Sequence, residues 1–233
     1  MPVNTERTLD RVGAVAGIAT VALLLSLFML FPALPTPNKP VADIARSAAN
    51  DRDALLVAAY LGTLLSGTLI IFGAAFAARL RRSEGSTGGW WIVALAGVTA
   101  AGSIGFVSDA LSIVFVRAVG HGVSGDVLWL GYGGDHWIGT LTGVPLAVFF
   151  LGAGIGSRAS GLLPRWLGWG ALVLAIAFVV GAGSVIGDEV DGGVPGFVLF
   201  LSYLGLLVWI VAVGVVFWRR PVGVRTDAVP SLA

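Results

Sequence analysis

Six times along the sequence the chain runs for about twenty residues with scarcely a charge, which is the length an α-helix needs to cross the hydrocarbon core of a bilayer. The runs are 12–34, broken near its end by Pro32, then 54–78, 89–108, 136–156, 166–187 and 196–218. They are continuous, without the ten-residue apolar–polar alternation of barrel strands, so they predict helices. The third pattern can continue through Asp109 to Arg117, in which case the helix outgrows a core of about 30 Å and protrudes or tilts. Composition agrees: 57% of residues are hydrophobic and 12% charged, and the mean hydropathy is +0.93. Too few polar side chains exist to coat a soluble domain, and hydrophobicity is too high for disorder. The expected fold is therefore all-α, a single polytopic membrane domain over 1–233 built as a bundle of six transmembrane helices.

Lysine and arginine give that bundle an orientation. The segments 1–11, 79–88, 157–165 and 219–233 hold ten of the 14 basic residues, and the segments 35–53, 109–135 and 188–195 hold four, with nine acids. The positive-inside bias then places both termini in the cytoplasm of a multi-pass cell-membrane protein. Trp90, Trp91, Trp166, Trp169 and Trp218 fall at the same expected boundary, as an interfacial belt would. The first run follows Arg7 and Arg11 but is longer than a signal-peptide core and has no small-residue cleavage site after it, so it reads as retained.

Between the runs, Val41, Ile44, Ala45 and Ala48 recur at helical spacing and predict a short amphipathic helix on the outer surface. Residues 119–135 read as a Gly-rich outer loop whose Val-Leu-Trp-Leu insert tucks back on the helix ends. Small residues recur four apart at Gly13/Gly17, Gly62/Ser66, Gly73/Ala77, Gly139/Gly143, Gly152/Gly156 and Gly183/Gly187. Such pairs let helix backbones approach in lipid, either within the chain or against a protein partner or a second copy. Pro145 predicts a bend in the fourth helix near Leu141, because it removes a backbone bond and crowds that carbonyl.

The segment Ser160-Gly-Leu-Leu-Pro-Arg-Trp-Leu-Gly168, after a span ending in small residues, and the turn Arg79-Leu-Arg-Arg-Ser-Glu-Gly85 before Trp90 carry a resemblance. The chain looks like bacterial membrane proteins of the domain-of-unknown-function 4386 type, which are about this long, with six helices and a Ser-Gly-(Phe/Leu)-Leu-Pro-Arg-x-Leu-Gly turn between the fourth and fifth. The resemblance implies architecture and no catalytic residues. The motif also has its own logic: Gly161 ends one helix, Pro164 opens the next and Arg165 anchors it.

Chemistry-bearing residues are sparse. Cysteine is absent, which removes disulfides, thiolate metal sites and Cys nucleophiles. The only histidines, His121 and His136, lie beside Asp126 and Asp135. They are the metal candidates, but adjacent residues such as Asp135 and His136 diverge by about 100° on a helix, and no His-x-x-x-His pair exists. Gly122–Gly125 mimics the serine motif of rhomboid-like proteases, yet no His in the sixth span could activate Ser124. Zinc hydrolases of the ceramidase and adiponectin-receptor type need three histidines, haem needs His within facing spans, retinal needs a Lys within a span, and a P-loop is missing. No cofactor is expected, and a net charge of +1 points to no nucleic acid.

Asp109 is the most informative acid. It shares a helix face with Gly102, Gly105 and Ser112, and acids at membrane depth usually face the bundle. Asp109, Arg117, Asp135, His136 and Thr140 form the candidate ligand site, a small polar cup opening outward, with Asp109 turned towards His136 and Thr140, and Arg117 paired with Asp135, Asp188, Glu189 or Asp191. The expected function is a non-enzymatic binding or accessory membrane component. The alternatives are a transporter of a lipophilic or uncharged small molecule, favoured by Pro145 and disfavoured by the lack of charge inside the spans, and an outer-face metal-dependent enzyme using His121 and His136.

Overall fold

The computed structural model describes residues 3–30, 35, 37–85, 88–186 and 193–219, without the side chains of 3–7 and 30. It is built from eight α-helices: α1 Val3–Leu30, α2 Val41–Asn50, α3 Arg52–Glu84, α4 Trp90–Ala118, α5 Gly125–Leu141, α6 Gly143–Ser160, α7 Arg165–Ala182 and α8 Gly193–Arg219, with a 3₁₀ turn at Gly183–Ile186 after α7. With α5 and α6 taken as one broken rod, six of these elements are long and apolar enough to cross a membrane. The chain is a multi-pass helical bundle.

The spans pack in chain order around a ring. α3 lies between α1 and α4, α6 between α4 and α7, and α8 closes the ring against α1. Outward faces stay apolar, as lipid contact requires: Val15, Ile18, Val173, Ile176, Val208 and Val211 are all exposed. At one end of the ring Trp166, Trp169 and Trp218 are exposed, and Arg158 lies 3.8 Å over the Trp169 ring. This arginine-rich end also holds the first turns of α1 and the last turns of α8. Asp10 of α1 bridges Arg79 Nε at 3.4 Å and Arg82 Nη2 at 2.8 Å, while Arg79 lies 4.0 Å over the Phe217 ring of α8. Glu84 closes α3 by facing the first turn of α4, where the Trp91 N–H donates to its carboxylate at 3.5 Å, a favourable place for a negative charge.

Inside this half of the bundle six aromatic side chains interlock. Phe76, Phe149 and Phe150 all meet the Trp209 ring, at 5.4, 5.8 and 5.2 Å between centroids. Phe72 joins from α3 and Phe178 from α7, and Trp209 Nε1 donates to the Leu167 carbonyl at 3.2 Å. All six are buried.

The opposite end is a separate cap. Ile44 and Ala48 of α2 pack on Leu55, Phe115, Val116 and Leu128, so the expected amphipathic helix exists and spends its apolar face on the helix ends. Trp129 Nε1 and Tyr132 Oη tie α5 to the Pro37 and Pro35 carbonyls, at 3.3 and 2.6 Å.

One boundary settles between the expected ends and another corrects the sequence reading. α4 reaches Ala118, the longer of the two expected ends, and covers about 42 Å. More consequentially, the fourth span begins at Gly125, not at 136. The Gly-rich stretch is helical because its glycines serve contact with α4: Gly131 lies on Phe115, Gly134 on Leu111 and Gly139 on Ser108. Asp135 therefore sits about 15 Å along a helix, where a loop was expected. The fourth span is interrupted one residue from Leu141, where Pro145 is expected to act. The rod breaks at Thr142, whose N–H turns to the Gly139 carbonyl at 3.2 Å, and Thr142 Oγ1 donates to Ile138 O at 3.4 Å. In the Ser160–Gly168 turn, Gly161 takes φ +71°, the left-handed conformation that ends a helix, and Pro164 caps α7.

The small-residue pairs meet partners within the chain. Gly13 faces Ala75 and Gly17 faces Phe72; Gly73 takes Val98; Gly143 faces Phe178, and Gly152 the backbone of α4. Gly187 lies outside the described residues, so its pairing with Gly183 is not described.

Candidate functional site

Above the aromatic cluster the ring does not close on itself. A cavity of about 180 Å³ lies between α1, α3, α4, the α5–α6 break and α8. Its floor and sides are apolar, from Leu24, Leu65, Leu69, Ala101, Leu146 and Leu206. Polar atoms enter from Thr20, Ser66, Thr142 and Tyr203, and a single carboxylate, Asp109, stands at its far end.

Glycine makes room for that carboxylate. Gly62 of α3 lies against Asp109, and any side chain there would overlap Oδ1. The other oxygen, Oδ2, is buried and has no hydrogen-bond partner among the described residues. Gly105 in turn leaves space for the Ser66 hydroxyl. The Gly62/Ser66 pair thus seats a carboxylate and a hydroxyl between α3 and α4, beyond bringing the helices together.

Asp135 stands directly behind the wall. Ser108 Oγ donates to its Oδ1 at 2.5 Å and Ser112 Oγ to its Oδ2 at 2.6 Å. Both hydroxyls come from α4, one turn apart, so the carboxylate of α5 is clamped to α4 just beside Asp109. Ser108 itself lines the cavity, and its hydroxyl is spent on Asp135.

The five expected ligand residues do not form one cup. Asp109 faces the interior, but towards Gly62 and the cavity, not towards His136. Asp135 is engaged by serines. Neither Arg117, His136 nor Thr140 lines the cavity. Arg117 is exposed in the last turn of α4 and makes no ion pair with Asp135; Asp188, Glu189 and Asp191 lie outside the described residues. His136 stacks edge-on against Trp137 at 4.9 Å, and Thr140 Oγ1 donates to the His136 carbonyl at 2.8 Å. The expected Asp109–His136 pair is thus replaced by two acids on one side of α4, because the earlier start of α5 carries Asp135 down beside Ser108.

His121 lies exposed in the turn after α4, with Nδ1 3.3 Å from the Val119 carbonyl. No group of three or more His, Cys, Asp or Glu is gathered among the described residues, so neither histidine belongs to such a group there.

The sequence did not single out Thr20, Ser66 or Tyr203. Thr20 is legible only with α1 in place against α3, where its hydroxyl donates to the Ala16 carbonyl at 2.8 Å and lies 3.1 Å from Thr68 Oγ1. Ser66 had been counted only as half of a packing pair.

The chain matches no family model, no curated protein and no solved structure.

Proposed function

We propose that this is a non-enzymatic cell-membrane protein of the 4386 type that binds a small molecule in the cavity beside Asp109, acting as a binding or accessory component. Both termini lie in the cytoplasm, and the α2 cap faces out. The observation that carries the reading is the cavity itself: an apolar chamber large enough for a small organic molecule, with one inward carboxylate whose Oδ2 is without a partner. Few convergent polar groups on an apolar wall are the usual make-up of a ligand pocket. The distribution of the ten arginines against the four opposing basic residues supports the orientation.

Transport is the second reading, favoured by the α5–α6 break, because Gly139, Thr142 and Leu146 all line the cavity and broken helices often frame transport sites. Against it, the aromatic side chains around Trp209 fill the bundle between the cavity and the arginine-rich end. That arrangement is a pocket with a floor.

The lack of cysteine allows a clean test with single Cys variants in intact cells. Ser124→Cys is expected to react with a membrane-impermeant maleimide, and Ser83→Cys only after the cells are opened. Ser66→Cys, inside the cavity, is expected to react with a small methanethiosulfonate and not with a bulky maleimide. Reversed labelling of Ser124→Cys and Ser83→Cys would overturn the orientation. A Ser66→Cys variant inert to every small reagent would remove the pocket.

A further inference from the structure

The charge balance of the cavity specifies its ligand more narrowly. Resting on the pocket reading above, we propose that the occupant is a small lipophilic cation, a protonated amine whose ammonium meets Asp109 and whose hydrocarbon lies among Leu24, Leu65, Leu69 and Leu146.

A carboxylate that enters an apolar chamber is costly without a counter-charge. None is supplied by the protein: no Lys, Arg or His lines the cavity among the described residues, and Arg117 is exposed two turns further along α4. Asp135 adds a second acid behind the Ser108 wall. Its two oxygens accept from Ser108 and Ser112, which gives each oxygen a donor but adds no positive charge. The field at this end of the cavity therefore favours a cation, and apolar walls strengthen it.

The walls also decide what sort of cation. A metal ion stripped of water asks for about six oxygen ligands, whereas the polar side chains here are one carboxylate, the scattered oxygens of Thr20, Ser66, Thr142 and Tyr203, and Ser108, whose hydroxyl is engaged by Asp135. An ammonium needs only one to three acceptors and carries its own apolar surface. The Tyr203 ring adds an aromatic wall, of a kind that attracts cations. Size sets the upper limit: an apolar cavity of about 150 Å³ is known to hold benzene, so about 180 Å³ suits a monosubstituted benzene or an aliphatic amine of similar bulk.

Benzylamine and benzyl alcohol have nearly the same shape and differ in charge at neutral pH, which makes them the direct probes. Their binding is measured on the full-length protein in lipid nanodiscs, for the native chain, for Asp109→Asn, which keeps the shape of the side chain, and for Ala101→Leu, which fills the chamber. The native protein is expected to bind benzylamine at least tenfold more tightly than benzyl alcohol, Asp109→Asn to abolish that preference, and Ala101→Leu to remove binding of both. Leu65→Phe, on the α3 side of the cavity, repeats the filling test should Ala101→Leu not fold. Equal affinities for the two probes, unchanged by Asp109→Asn yet lost in the filled variants, would overturn the cation and leave the pocket standing. No binding of either probe, or binding indifferent to both filled variants, would overturn the pocket as well.

Discussion

Replacing Gly97 by Val is expected to break the bundle at its tightest crossing. A side chain at Gly97 would run into the backbone of α6, overlapping Phe149 N and lying 2.8 Å from both Phe149 Cα and the Pro145 carbonyl oxygen. One turn away the relation is mirrored: a Cβ added at Gly152 would lie 2.5 Å from Ala94 N in the α4 backbone. Backbone atoms cannot rotate aside as a side chain can, so α4 and α6 must separate. Separation withdraws Phe149 and Phe150 from Phe76 and Trp209, the most densely interlocked part of the core. Overpacking commonly costs about 1–3 kcal/mol where neighbours can adjust; with backbone on both sides we expect about 4 kcal/mol or more, or roughly 10 °C in Tm for a chain of this size. Gly170→Ala is the control, since a Cβ there meets nothing within 4 Å, and its expected shift is slight. Melting of both variants in the same detergent decides the matter: an unchanged Tm for Gly97→Val would mean that the two helices are not in backbone contact.

The second large effect is an asymmetry at the arginine-rich end. Arg79 is only 5% exposed and pairs with Asp10, whose second partner is Arg82. Removing one partner of a buried pair leaves an uncompensated charge, while an apolar residue of similar volume in place of the buried charge is often neutral. Asp10→Ala strands Arg79 against the Phe217 ring and is expected to cost about 2–3 kcal/mol, at the low end because Asp10 is partly solvated. Arg79→Met keeps the packing on Phe217 and leaves Asp10 with Arg82, so its expected change is within about 1 kcal/mol. Thermal melts of the two variants check this. Equal losses would mean that the ion pair, and not the orphaned charge, sets the stability of this end.

The fold was legible because lipid imposes one strong rule, that each span be long, apolar and helical. Four of the six spans therefore start within a few residues of their expected positions in the described chain; α1 extends well before Val12, and the fourth span begins early, at Gly125. The Pro145 bend was legible too, since a missing N–H acts locally. The start of the fourth span was not. Gly131, Gly133 and Gly134 suggest a loop by composition, and only the presence of α4 explains Gly131 and Gly134 as contact points. Leu128 and Tyr132, four apart and both turned to the α2–α4 cap, were the available signal for a helix there. The site suffered most from that error, because it moved Asp135 from a loop into a helix and substituted Ser108 and Ser112 for His136 as the neighbours of the acids. Asp109 was legible as an interior acid from its Gly-lined face. The cavity was not, since it is made by what six helices leave unfilled.

The claim at the centre of this reading is that the chamber beside Asp109 is made to be occupied. Native mass spectrometry of the protein released from its own membrane in mild detergent, compared with Ala101→Leu prepared in the same way, tests it most directly. The native chain is expected to carry a small non-protein mass that survives the removal of detergent and lipid, and Ala101→Leu, with its chamber filled, is expected to lack it. A native chain that carries nothing the filled variant lacks would contradict the claim and reduce the cavity to a packing defect.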